Sequence, residues 1–219
     1  MVYDCMDFSD IEKGKNIIIV GAGGTLSIYK DNILSFIKDS KSVTIGINRM
    51  TGAITPNYHL WTNRQRWGKY GSCVKANSSL ILGPSITRKH AKKHYRGEYD
   101  RIDYVDKKNV PFELGGEQIR GYFRTAGVLA IALAHVMGAK KIFIVGMDGY
   151  TLHDKKSLKG GKSSHHCYGS GYTDDSSWKE CVKKDRIVYG ILKELNNHIK
   201  FTIITPTVFD KFYNNKMRI

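Results

Sequence analysis

Acidic residues are scarce in this chain: 20 Asp and Glu stand against 35 Lys and Arg, a formal charge of +15 over 219 residues. That excess implies attraction to something anionic, namely nucleotide phosphates, an anionic membrane face or nucleic acid. A Lys- and Asn-rich composition also follows from base bias in a gene, so charge alone does not choose among partners. Cysteine is sparse and scattered. Cys5, Cys73, Cys167 and Cys181 form no C-x-x-C pair, which excludes a disulfide framework and a zinc ribbon, and all four are expected to be reduced. Long apolar runs are missing too, since none approaches the roughly 20 residues that a bilayer span requires. Residues 1–15 mix both charges without an apolar core, so a secretory signal is not expected and the cytoplasm is the expected location. Repeats and low-complexity linkers are also lacking, and 41% hydrophobic residues suit a single folded domain over 1–219.

What is present begins with Ile17-Ile-Ile-Val20, a β-branched run typical of a parallel strand covered on both faces. It leads into Gly21-Ala-Gly23-Gly24-Thr25-Leu26, where the glycines permit a sharp turn and close approach of a ligand. A helix over 26–38 should follow, its first amides aimed at an anion. Leu26 stands where the third glycine of G-x-G-x-x-G belongs, so the dinucleotide pattern is incomplete. Strand patterns then recur at 42–48, 59–62, 79–82, 141–145 and 201–205, with helical patterns at 126–137 and 178–196. This alternation predicts an α/β fold, a single Rossmann-like, doubly wound and mostly parallel sheet. In the last helix Trp178, Cys181, Val182, Val188, Ile191, Leu192 and Leu195 share one side. Two segments break the pattern: a basic insertion at about 85–120, carrying Arg88, Lys89, Lys92, Lys93 and Arg96, and a polar 149–177 loop expected to act as a mobile lid.

In open α/β sheets ligands bind beyond the carboxyl ends of the strands. Candidate residues cluster at four such ends: Gly21 to Thr25, Asn48, Asn63, and Gly146 to Tyr150. Asn48 and Asn63 both donate and accept, as a base, ribose or sugar requires, although either also suits a plain turn. Thr125 is a natural helix N-cap, and the amides of Ala126 and Gly127, beside Arg124, suit a phosphate or carboxylate. Asp148 reads as a turn or ribose ligand; a metal role would need a second carboxylate or substrate phosphates. His165 and His166 are adjacent, poor spacing for one metal ion, so no metal site is expected; either, or His153, could serve as general base.

In their order these motifs resemble the bacterial lipooligosaccharide sialyltransferases and the related 6-hydroxymethylpterin diphosphokinase-like domains. The resemblance spans most of 17–213 and is carried by Val20 to Leu26, Asn48, Asn63, Thr125 to Gly127, Gly146 to Tyr150, the His-bearing loop and Ile-Thr-Pro206. It implies a metal-independent inverting glycosyltransferase of surface polysaccharide biosynthesis, using a CMP-linked or other nucleotide-linked sugar and a glycan acceptor. It further implies nucleotide contacts at Gly21, Gly23, Asn48, Asn63, Thr125, Gly127 and Tyr150; Gly24, Thr25, Ala126 and Asp148 join them as candidate contacts by their places at strand ends and at the helix cap. The departing phosphate would be held by Tyr150 or by Tyr168 or Tyr172, and a lid histidine, His166 or His165, would act as base. The chain departs from that pattern at Ala22, at Gly24-Thr25, at Ala126, and at Ser170, where the family's base would fall. Two alternatives stay open. One is an ATP-dependent diphosphokinase with Mg²⁺ on Asp148; the other is a non-catalytic nucleotide-binding module of a larger enzyme. Peripheral contact with an anionic inner membrane face and a homo-oligomer or fusion partner are further expectations; nucleic acid is not an expected partner.

Overall fold

The apolar run at the start forms β1 (Asn16–Val20), which is buried from Ile17 onward and lies inside a parallel sheet. The computed structural model describes residues 5–50, 54–115, 118–153, 166–168 and 177–215. Going outward from β1 on one side are β2 (Val43–Ile47), β3 (Tyr58–Trp61), β4 (Ser79–Leu82) and β5 (Asp100–Arg101), each parallel to its neighbour. After two more strands, β6 (Tyr104–Asp106) and β7 (Ile119–Gly121), which pair with each other, the chain crosses back. It then adds β8 (Lys141–Val145) and β9 (Phe201–Ile203) on the opposite side of β1. The result is a seven-stranded, all-parallel sheet in the order β5-β4-β3-β2-β1-β8-β9, a Rossmann-like doubly wound fold. The order reverses between β1 and β8, and the crevice that this reversal opens is where such sheets bind ligands.

Period-two alternation distributes the strand side chains between two layers. Ile17 and Ile19 of β1, Ile45 and Ile47 of β2, and Ile142 and Ile144 of β8 face the larger core. There they meet α5 (Ala126–Val136) and the C-terminal helix, numbered α6 (Trp178–Leu195). Ile18, Val20 and Val145 face the other way, toward Leu26 and Ile33. These belong to α1 (Thr25–Ile28) and α2 (Lys30–Ser40). The helix expected over 26–38 is thus two, because Tyr29 leaves helical geometry at φ −106° and ψ 21°. A third cluster joins Trp61 and Leu82 to α3 (Arg64–Tyr70) and α4 (Arg88–Ala91).

The basic insertion expected at about 85–120 supplies the edge strand β5 and the strand β6, and it leads into β7, which ends at Gly121. Its Arg101 is buried, and the guanidinium Nη1 donates to the Ile86 carbonyl at 3.0 Å. In α6, Val182 is 39% exposed although it was assigned to the apolar side, whereas Asp185, which periodicity alone cannot single out, is buried. Most of the 149–177 segment lies outside the described residues, as do His165 and Tyr172. No helix among the described residues is long and apolar enough to cross a membrane.

Helix α5 packs on β1, β2, β3 and β8, and Ala130, Ala132 and Ala134 are fully buried along it. Small side chains are what allow the helix to lie so close to the sheet. Ala132→Leu is expected to cost about 1–3 kcal/mol in urea denaturation through overpacking. Val182→Ala on the exposed face of α6 is expected to cost less than about 0.5 kcal/mol.

Candidate functional site

At the β1/β8 reversal the two strand ends are joined before any ligand is considered. The Gly21 amide donates to the Val145 carbonyl at 2.8 Å, and the Gly23 amide donates to the Gly146 carbonyl at 2.9 Å. The backbones run so close that a Cβ on Gly21 would collide with the Gly146 carbonyl, and one on Gly146 would sit 2.6 Å from the Gly21 oxygen. Gly146 also has φ +66°, so a side chain there is excluded on two counts. Glycine at 21 and 146 is therefore a packing requirement of the crevice floor.

Asp148 completes the junction. It is 2% exposed, and its Oδ2 accepts from the Thr25 amide at 2.8 Å while Oδ1 accepts from the Thr25 hydroxyl. His153 Nε2 lies 2.9 Å from the same Oδ2. The amide that opens α1, expected to receive a ligand's phosphate, is thus bonded to a carboxylate of the protein itself. Asp148 occupies that position because β8 ends beside β1 and turns at Gly146. Thr25 is buried and does not face the crevice, and Gly24, the N-cap of α1, does not either.

The crevice itself is a cavity of about 330 Å³. One wall is the glycine turn, Gly21 to Gly23; another is Met147 to Tyr150. The lining is completed by Asn48 at the end of β2, Asn63 after β3, and Thr125, Ala126 and Gly127 at the start of α5, where Gly127 abuts Met147. Sequence order spreads these groups over more than a hundred residues; the parallel sheet brings them together because each follows a strand's carboxyl end or opens a crossover helix. Of the predicted site residues, Gly21, Gly23, Asn48, Asn63, Thr125, Ala126, Gly127, Asp148, Tyr150 and His166 all face this cavity.

Each group has a local reason for its position. Asn48 adopts a left-handed φ of +52°, held by its amide donating to the Leu60 carbonyl at 3.0 Å and by His59 Nε2 against its own carbonyl. His59 is buried, and that burial holds its pKa below the usual histidine value, so the ring is neutral near pH 7. The side-chain Oδ1 of Asn48 is buried and has no hydrogen-bond partner among the described residues. A buried acceptor left in this state is costly unless something donates to it. Asn63 caps α3, its Oδ1 accepting from the Arg66 amide at 2.9 Å. Thr125 caps α5 through the Val128 amide at 3.3 Å, and Ala126 and Gly127, in a first turn without an acidic residue, line the cavity at the start of this eleven-residue helix.

Arg66 and Arg124 also line the cavity. Arg124 was legible as the cation before the α5 cap, whereas Arg66 had no signal beyond its place three residues after Asn63. Arg124 sits at φ +59°, a left-handed conformation that a non-glycine residue adopts at a cost. Asp106, at the end of β6, holds it there by accepting from the Phe123 amide at 2.9 Å and the Arg124 amide at 3.3 Å. Tyr150 is fixed by Asp185 of α6, whose carboxylate accepts from the Tyr150 amide at 2.7 Å and the Thr151 amide at 2.9 Å. Burial raises the Tyr150 pKa, an effect that Arg66 and Arg124 partly offset, so its hydroxyl stays protonated and able to donate.

His166 lies against the glycine turn through an antiparallel bridge to Gly23, with its ring stacked on Tyr168 at 4.8 Å. The Tyr168 ring does not face the cavity, and its hydroxyl is buried. No three His, Cys, Asp or Glu side chains among the described residues form a group suited to a metal ion. No family model matches the chain, and no curated protein matches it either.

Asp148→Asn replaces one acceptor oxygen with a donor facing Thr25 or His153. In urea denaturation at pH 7 it is expected to cost about 2–3 kcal/mol, the scale of buried hydrogen bonds to a charged group. Thr25→Val in the same background is expected to add less than it costs alone, because the two residues share one interaction.

Proposed function

We propose that the cavity binds a nucleotide-linked sugar, with a CMP-linked donor favoured, and transfers the sugar to a glycan hydroxyl without a metal. The observation that carries this reading is the convergence in one crevice of the α5 amides, Arg66, Arg124, the Tyr150 hydroxyl and the unpartnered Asn48 acceptor. The first four suit the phosphate, and the last suits a donor on a base or ribose. About 330 Å³ lies within the usual range of small-ligand sites. The reading is also supported by the resemblance to the lipooligosaccharide sialyltransferases, whose nucleotide-contacting motifs correspond to residues that face this cavity.

The phosphate lies on the α5 side. The amide that opens α1 is taken by Asp148, while the first turn of α5 holds no acidic residue. As the glycosidic bond breaks, negative charge grows on the departing nucleotide's phosphate; the two guanidiniums, the α5 amides and the Tyr150 hydroxyl stabilise it in place. His166, at the cavity wall, takes the proton of the attacking hydroxyl. Peripheral contact with an anionic membrane face fits the net charge of +15.

A thermal-shift panel of CMP, CDP, UDP, GDP and ATP with their sugar conjugates, with and without Mg²⁺, tests the reading. Cytidine nucleotides are expected to stabilise the protein without Mg²⁺, by about 2.7 kcal/mol at a free concentration of 100 times Kd. Strict dependence on ATP and Mg²⁺ would replace sugar transfer with diphosphoryl transfer. In transfer assays His166→Ala is expected to lower kcat by about 10²- to 10⁴-fold with nucleotide affinity unchanged.

A further inference from the structure

Residues 166–168 carry the base in the reading above, yet no regular element contains them. They meet the glycine turn and α1 through two hydrogen bonds: the Cys167 amide donating to the Ala22 carbonyl at 2.9 Å, which makes the Gly23–His166 bridge, and the Ser27 hydroxyl of α1 donating to the Cys167 carbonyl at 3.0 Å. These backbone contacts set the path of the segment but do not orient the His166 ring. That ring is nearly coplanar with Tyr168, at 9° between planes. On Tyr168, in turn, sits the guanidinium of Arg49, 4.9 Å from the ring centroid, and the same guanidinium lies 4.6 Å from the ring of Tyr70. The Tyr70 and Tyr168 rings are themselves 5.6 Å apart. Arg49 directly follows the left-handed Asn48 at the cavity wall, and its side chain runs toward this stack.

We propose that Arg49 is a positioning residue, a clamp between Tyr70 of α3 and Tyr168 that orients His166 over the crevice. A guanidinium suits this place because it is planar and can lie against two rings, whereas an ammonium such as that of Lys69, 5.3 Å from the Tyr70 centroid, meets a ring only as a point charge. The Tyr168 hydroxyl, buried without a partner among the described residues, adds nothing to the clamp; the ring is the working part. The proposal rests on His166 being the base, so its test needs a measurement independent of activity.

Cys167 supplies that measurement. It packs against the α1–α2 layer, and burial pushes its thiol up to about 12, so in the clamped state it is a poor nucleophile. Alkylation by iodoacetamide, followed peptide by peptide, is expected to be at least about tenfold faster at Cys167 in Arg49→Met than in the wild type. Cys181, buried in α6, should stay protected and so reports intact folding. Tyr168→Ala gives a second route to the same release should Arg49→Met fail to fold. Tyr168→Phe, which keeps the ring, should protect Cys167 as the wild type does. Equal labelling of Cys167 in Arg49→Met and wild type, or release by Tyr168→Phe as large as by Tyr168→Ala, would overturn the clamp. With a CMP-sugar donor, Arg49→Met is expected to lower kcat at least about tenfold with donor KM within about twofold, and Arg49→Lys to restore less than half of the loss. Faster Cys167 labelling in a protein whose wild type transfers no sugar would support the clamp and overturn the transferase reading.

Discussion

The carboxylate of Asp148 is the interaction on which the rest of the site depends. It stands at the end of β8, beside β1, and accepts two hydrogen bonds from Thr25 at the start of α1. A negative charge buried at a helix start is stabilised by the amides it faces, and it stabilises them in return. The cost of burying that charge is offset only while Thr25 and His153 stay in place. The glycine contacts between residues 21 and 146 serve the same closure, because only a backbone without Cβ atoms lets the two strand ends come near enough for Asp148 to reach Thr25.

With the Thr25 amide at the start of α1 bonded by Asp148, the cationic side chains that line the crevice are those near α3 and α5. Thr125 opens α5 there, and Arg124 and Arg66 add two full charges. Each is held from a different part of the fold: Arg124 by Asp106 of the small parallel sheet, Arg66 by the Asn63 cap of α3, and Tyr150 by Asp185 of α6. Three carboxylates, Asp106, Asp148 and Asp185, thereby fix backbone amides around a cavity that Arg66 and Arg124 also line. A chain short of acidic residues uses several of them to shape it.

Much of this was legible in the sequence. The continuous β-branched run at 17–20 reads as a buried parallel strand because both faces are covered, 141–145 reads as a second central strand, and polar groups just after strand ends could be assigned to one rim. The broken helix at Tyr29 was not legible, since the apolar period continues through it. Asp185 was hidden because a buried carboxylate on an amphipathic helix carries no periodic signal; only the turn it caps reveals its purpose. The strands at 100–106 and 119–121 are two or three residues long, too short to show alternation among charged neighbours. Most misleading was the glycine turn. Its sequence advertises an anion site, and the structure fills that site with Asp148, a residue 123 positions away from Thr25.

The most direct test is a crystal structure with CMP bound. The account predicts phosphate oxygens within about 3 Å of the Ala126 or Gly127 amide and of the Arg124 guanidinium, the usual hydrogen-bond range, with the Thr25–Asp148 pair intact. A phosphate seated on the Thr25 amide, with Asp148 displaced, would contradict it.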